Sequence, residues 1–469
     1  MNGEKTLKIE SLNRRIVMLT LPTIVSNISV PLLGLCDTAV AGHMGDERYL
    51  AGMAIGSIMV TTMYWLFSFL RAGTSGLTAS YYGSADRYGM GVCLRNSLLL
   101  AIVIGLILMA VCSPVLGFLQ KVMGATPQTA ELAGEYFSLC IRGAVPMMIL
   151  TALSGWLIGM QSTSSAMWVN IGVSVLNVAA TLMLVYGFGF GYAGIAIGTV
   201  LSQWIMIVPA ACLCIRICKM NGIVLWRSIN DGHRRFAATP SSPCYGENIS
   251  CNRTGSMEWK AMLNVNSNLF FRSACLIALS LMLYGYSARL GDIEVGANAV
   301  INQMFLFFSY FMDGFAFTGE ALVGRYSGAR NLEMLGKSIL LLLGWTAGLT
   351  LIFILVYSLF LSDIVHLLSD SKEVAESVAA CKIWVSALPL AGAFAFIFDG
   401  FYIGLTKTRP MLISTIGGVG LFAILLHFID HTQWMIWMAF VCYLALRSLL
   451  LISLFPYTLK KLQLQKIII

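Results

Sequence analysis

The stretch Leu21-Pro-Thr-Ile-Val-Ser-Asn-Ile-Ser-Val-Pro-Leu-Leu-Gly-Leu-Cys-Asp-Thr-Ala-Val-Ala-Gly-His43 decides the class of fold. From Ile16 to Cys36 no residue is charged, and a run of that length suits a helix crossing a bilayer core of roughly 30 Å. Asp37 follows, with apolar Ala39, Val40 and Ala41 still ahead of it. Carrying a carboxylate into hydrocarbon costs at least roughly 2.5–3.5 kcal/mol on insertion scales. Pro22 and Pro31 lie upstream, and Pro31 cannot donate to the carbonyl of Asn27. The helix is therefore expected to bend, leaving a carbonyl that must find a partner or line a wet cavity. At about 100° per residue Ser26, Leu33 and Asp37 share one face, with Asn27 at its edge. An acid on a proline-interrupted spanning helix reads as an ion or substrate site. The bland alternative is an acid near a helix end that snorkels to water.

The rest of the 469-residue chain agrees with a membrane setting. Hydrophobic residues make up 58% and charged residues 11%, against about 25% charged in soluble domains, and the mean hydropathy is +0.80. Met1 to Glu10 is polar and the first apolar stretch already has spanning length, so no cleavable leader is expected. The net charge of +8 fits basic loops on one membrane face and needs no nucleic acid. The 12 cysteines are scattered through apolar runs. Cys212, Cys214 and Cys218 lack a matching pair, and Cys244, Cys251 and His233 share a polar loop without zinc spacing. No GxxxxGK[ST] loop or HExxH motif is present, so neither ATP hydrolysis nor zinc hydrolase chemistry is indicated, and no enzyme activity is expected.

Twelve spans are predicted, near 15–38, 50–72, 94–119, 136–157, 166–187, 193–217, 265–287, 296–320, 336–361, 381–403, 411–429 and 434–456. The expected organisation is an N-lobe over 1–217, a polar linker over 218–262 and a C-lobe over 263–469. With the N-terminus inside, the inner segments hold about 21 of the 30 basic residues. Both termini and the linker are thus expected to be cytoplasmic. That side also discounts the sequons at Asn248 and Asn252.

The chain repeats itself. Ala79-Ser-Tyr-Tyr-Gly-Ser-Ala-Asp86 aligns with Gly324-Arg-Tyr-Ser-Gly-Ala-Arg-Asn331 at an offset of 245. Leu50–Ala54 with Val295–Ala299, and Gly155–Met160 with Gly400–Leu405, share that offset. Six spans per half is an even number, so the halves are parallel repeats about an axis along the membrane normal. Two such bundles around a cleft suit alternating access.

Four acids fall inside predicted spans: Asp37, Asp313, Glu320 and Asp399. Asp313 and Glu320, about two turns apart, face the same way. Arg71, Arg142, Arg272, Lys382 and Arg447 touch the spans and are available either to pair with acids or to snorkel. Pairing would make the acids of the second half helix fasteners; without it they are ion carriers. The 25 methionines and many aromatics offer adaptable apolar surface for bulky, greasy compounds.

Taken together, Leu21-Pro22, Asn27–His43, Phe69-Leu-Arg-Ala-Gly-Thr-Ser-Gly-Leu-Thr-Ala79, Asp313-Gly-Phe-Ala316 with Glu320, and Asp399-Gly-Phe-Tyr-Ile-Gly404 resemble the DinF-like branch of the multidrug and toxic compound extrusion (MATE) family. The resemblance covers essentially the whole chain. It implies an all-α integral membrane protein of twelve helices in two six-helix lobes around a central cleft. It also implies export of cationic or amphipathic small molecules driven by H+ or Na+, without another cofactor, from a bacterial cytoplasmic (inner) membrane. One chain would supply a complete transporter, functional as a monomer. In that branch a first-helix Asp joins an Asn and an Asp on helix 5 and a Thr on helix 6. The match here gives Asp37, Asn177 and Thr199, and the helix-5 Asp position falls on Thr181. One carboxylate in place of two weakens a Na+ site, which wants several hard oxygens, and favours H+. The competing readings are a flippase for a lipid-linked precursor, a membrane transferase and a transport-dead scaffold.

Overall fold

The computed structural model describes residues 2–44, 47–112, 114, 116–117, 127–223, 255–369, 371–428 and 432–467. The centre of the expected linker, with His233, Cys244, Cys251 and both sequons, lies outside the described residues, as do Asp46, Asp370, Asp430 and His431. At its flanks one helix runs on to Asn221 and the next starts at Gly255, so both flanks are helical.

Twelve helices among the described residues are long and apolar enough to span: α1 (Ser11–Gly42), α2 (Arg48–Gly83), α3 (Arg87–Ala110), α4 (Gln128–Gly159), α5 (Thr163–Gly187), α6 (Gly191–Asn221), α7 (Trp259–Ala288), α8 (Asp292–Gly328), α9 (Leu332–Leu359), α10 (Lys382–Gly404), α11 (Arg409–Phe428) and α12 (Gln433–Lys460). All twelve expected spans are present. The largest shift is in the second, which ends at Gly83 rather than near 72, and the third ends at Ala110 rather than near 119. Short helices Leu361–Leu368 and Lys372–Ala380 connect α9 to α10.

The offset of 245 recurs in three dimensions. Asp86 caps α3 by accepting from the Gly89 N–H at 2.8 Å, and Asn331 caps α9 by accepting from that of Met334 at 3.0 Å. The residue before each cap is left-handed, Ala85 at φ 55° and Arg330 at φ 55°. The turns after α4 and α10 repeat the pattern with Gln161 at φ 63° and Thr406 at φ 56°. Close helix approaches match as well: a Cβ on Gly155 would lie 2.4 Å from the Arg71 carbonyl oxygen, and one on Gly400 2.3 Å from that of Ala316. Every pair in this series differs by the same offset.

The lobes meet along the repeat axis. Ser75 Oγ donates to Glu320 Oε2, and these two residues are themselves equivalent positions, 245 apart. Equivalent positions touch one another only where a two-fold axis passes between them. Farther along, Gly83 backs onto the Arg325 carbonyl and Gly328 onto that of Ser80, a reciprocal exchange. Thr20 and Thr318 share a hydrogen bond at 2.8 Å, Asn27 Nδ2 donates to the Tyr310 carbonyl at 3.1 Å, and Gln161 Nε2 to that of Ala321 at 2.7 Å. These contacts clamp the lobes at the end carrying the start of α1 and the α2–α3 and α8–α9 turns.

Candidate functional site

In the N-lobe α1 runs beside α5, and Asn170 Nδ2 donates to Ser26 Oγ at 2.7 Å. As odd-numbered spans the two helices run in the same direction. Eleven residues on from Ser26 is Asp37, and eleven on from Asn170 is Thr181, so equal helical rise brings the acid level with Thr181. Asn177 and Thr181 are almost fully buried. Thr181 Oγ1 donates to Asn177 Oδ1 at 3.3 Å, and Asn177 Nδ2 donates to Thr199 Oγ1 on α6 at 2.9 Å. Asp37 is 8% exposed, which excludes the snorkelling alternative. Its Oδ1 is buried with no hydrogen-bond partner, and no ion pair reaches it among the described residues. Tyr136 and Cys140 of α4 lie within electrostatic range of its carboxylate.

The helix around Asp37 is continuous. Both Pro22 and Pro31 lie inside one helix, Asn2–Gly42, and neither interrupts it. Thr23 and Ser29 hydroxyls donate back to the carbonyls of Leu19 and Ser26, at 2.9 and 2.7 Å. The two prolines and their hydroxyl neighbours weaken the backbone ladder on the N-terminal side of the acid.

The C-lobe acids are held differently. Asp399 Oδ2 accepts from both Arg272 on α7 and Arg447 on α12, and Arg447 Nη1 also donates to the Tyr443 hydroxyl at 3.3 Å. Glu320, 1% exposed, accepts from Ser75 and pairs across the lobes with Arg71 at 3.4 Å. The Arg71 guanidinium also covers the Phe317 ring, 3.6 Å from its centroid. Asp313, half-buried on α8, shares the electrostatic neighbourhood of Arg71, Glu320, Arg272 and Asp399. Three acids thus face three arginines. Residue pattern alone missed Ser75 and Asn170; the repeat offset points to the first as the equivalent of Glu320, and Asn170 lies two turns before Asn177 on its face. No group of three His, Cys, Asp or Glu side chains is placed to hold a metal among the described residues.

The twelve-helix chain has counterparts among known proteins. The sequence matches MatE over residues 22–183 and 269–429. The chain belongs to the MatE family. It is a multi-pass membrane transporter of small molecules and not an enzyme. Similar to this MatE chain is DNA damage-inducible protein F of Escherichia coli, 29% identical, with 93% of this chain and 90% of that protein covered. The probable multidrug resistance protein NorM of Xylella fastidiosa is 22% identical, with 87% and 83% covered. A crystal structure of MATE in the bent conformation superposes with a TM-score of 0.80 at 19% identity, covering 98% of each chain.

Proposed function

We propose that this MatE transporter exports cationic or amphipathic compounds in exchange for H+, with Asp37 as the carboxylate that couples the two flows. The observation that carries this reading is the unpartnered, buried Oδ1 of Asp37. A buried carboxylate without a counter-charge must be neutralised by a proton, by a metal cation or by a cationic substrate. Asn177, Thr181 and Thr199 supply neutral oxygens, and because they already bond to one another they suit a single proton better than a Na+ shell. Proton and substrate then compete for the N-lobe, or protonation of Asp37 lets the proline-weakened α1 bend into the cleft. Either way the coupling is reciprocal: a proton arriving from outside expels substrate, and substrate arriving from inside expels the proton.

The basic bias of the inner loops supports cytoplasmic termini in a bacterial inner membrane. The clamped end is then the cytoplasmic one, and the cleft faces outward. One chain, divided as 1–217, 218–262 and 263–469, would suffice as a monomer. In the C-lobe, Asp399 and Glu320 fasten helices, whereas Asp313 is the acid available to a passing cation. A lipid-precursor flippase would need unneutralised basic groups in the cleft, and Arg71, Arg272 and Arg447 each have an acid at hand.

The test is uptake of a fluorescent cation by inside-out proteoliposomes under an imposed pH or Na+ gradient, comparing wild type with Asp37→Asn. Uptake driven by ΔpH in wild type and lost in the variant is the expected result. Undiminished proton-driven uptake by Asp37→Asn would sink the proposal.

A further inference from the structure

A cavity lies away from Asp37 and the arginine cluster, at the clamped end of the C-lobe. Its volume is about 520 Å³, and the α10–α11 turn Thr406-Lys407-Thr408-Arg409-Pro410 forms one wall. Asn264 and Asn268 of α7 and Leu454, Tyr457 and Thr458 of α12 form the others. No acidic residue lines it. Lys407 and Arg409 are exposed, with no ion-pair partner among the described residues. Thr408 is buried, and its hydroxyl accepts from Asn268 Nδ2 at 3.1 Å, which ties the turn to α7. The wall is therefore built rather than a chance gathering of surface lysines.

Depth identifies the occupant's environment. The lining lies within about two and a half turns of where α7 begins at Trp259, α11 begins at Arg409 and α12 ends at Lys460, at the boundary of the apolar layer. One side is apolar, with Ile413 57% and Tyr457 70% exposed beside Leu454. Exposed tyrosine at this level is characteristic of the membrane interface. The positive end of the α11 dipole adds to the two side-chain charges.

We propose that this cavity binds a phosphate oxyanion carried on an amphipathic molecule, with an anionic phospholipid of the surrounding bilayer as its ligand. Two adjacent cations, flanked by hydroxyl and amide donors with no competing carboxylate, match a phosphodiester. The apolar side accommodates the acyl chains. The N-lobe equivalent of the turn, offset by 245, reads Gln161-Ser162-Thr163-Ser164-Ser165 and carries no positive charge. The site belongs to one lobe only.

The test measures lipid retained by the full chain in native mass spectrometry, with phosphatidylglycerol or phosphatidylcholine supplied in mixed micelles. Lys407→Gln/Arg409→Gln is compared with wild type and with the control Lys219→Gln/Lys337→Gln. The expected result is about a tenfold loss of phosphatidylglycerol affinity in the first variant alone, with phosphatidylcholine binding and the melting temperature in neutral lipid unchanged. Equal retention by wild type and Lys407→Gln/Arg409→Gln would overturn the proposal, as would an equal loss in the control. Displacement of phosphatidylglycerol by about 10 mM inorganic phosphate or glycerol phosphate would overturn the lipid as source and assign the site to a soluble phosphate compound.

Discussion

The two lobes share a scaffold and differ in what they bury. Their turns, caps and helix notches correspond at one offset, from Ala85 and Arg330 to Gly155 and Gly400. Their polar interiors do not. The N-lobe buries one carboxylate without a counter-charge; the C-lobe buries acids against guanidiniums. The backbone differs as well: α2 breaks between Leu66 and Phe69, just before Arg71, whereas its equivalent α8 is uninterrupted, and α4 tightens to a 3-10 turn at Ile141–Gly143 where α10 stays α-helical. Repetition has been kept where backbones must approach closely and lost where charge is handled. The pattern fits a division of labour, with a responsive N-lobe against a braced C-lobe.

The largest expected effect tests that division directly. Asp37→Asn should reduce proton-driven uptake to the background of empty vesicles, while Asp399→Asn, assayed in the same vesicles, should retain driven transport. The reverse ranking would transfer coupling to the C-lobe. Stability should rank the other way. Removing Asp399 leaves the buried Arg447 and half-buried Arg272 guanidiniums facing each other, so Asp399→Ala should cost roughly 3–5 kcal/mol. Asp37→Ala removes a charge that has no partner and should cost far less. Unfolding in mixed detergent micelles measures both, and equal losses would show that Asp37 is braced too.

How much of this was legible in the sequence depends on distance along the chain. Twelve spans follow from uncharged runs, and the repeat follows from Gly155, Gly400 and the turn residues, because close approach and left-handed backbone restrict residue choice locally. Asp37 stands out as the acid that ends a long uncharged run, whereas Asn177, Thr181 and Thr199 came from the family resemblance. Which arginine meets which acid was not legible: Arg272 and Arg447 reach Asp399 across 127 and 48 residues, and Arg71 reaches Glu320 across 249. Such pairing is set by how the helices rotate in the bundle, which single-helix periodicity does not specify. The continuity of α1 through Pro31 was likewise hidden, since proline weakens a spanning helix without obliging it to break.

The steric notches give a smaller, symmetric effect. Gly155→Ala and Gly400→Ala each push a methyl against a carbonyl oxygen closer than any real contact allows, so each should cost about 1–3 kcal/mol. Because the notches are equivalent, the two losses should agree within about 1 kcal/mol, as read from thermal unfolding. A large inequality would mean that one lobe is looser than its repeat partner at α2–α4 or α8–α10.

The smallest effect lies in the caps, and it sharpens the comparison most finely. Asp86 and Asn331 each satisfy one N–H in the first turn of the following helix, at 2.8 and 3.0 Å. Truncating either to alanine should cost about 1 kcal/mol. The charges differ: Asp86 adds a favourable interaction with the helix dipole that neutral Asn331 lacks, worth about 0.3–1 kcal/mol and screened by salt. Asp86→Ala should therefore cost slightly more than Asn331→Ala at low ionic strength, and the gap should close as salt is added. A gap unaffected by salt would place the difference in packing around Tyr81 and Gly89 rather than in the charge, and the scaffold would then have diverged even where its geometry repeats.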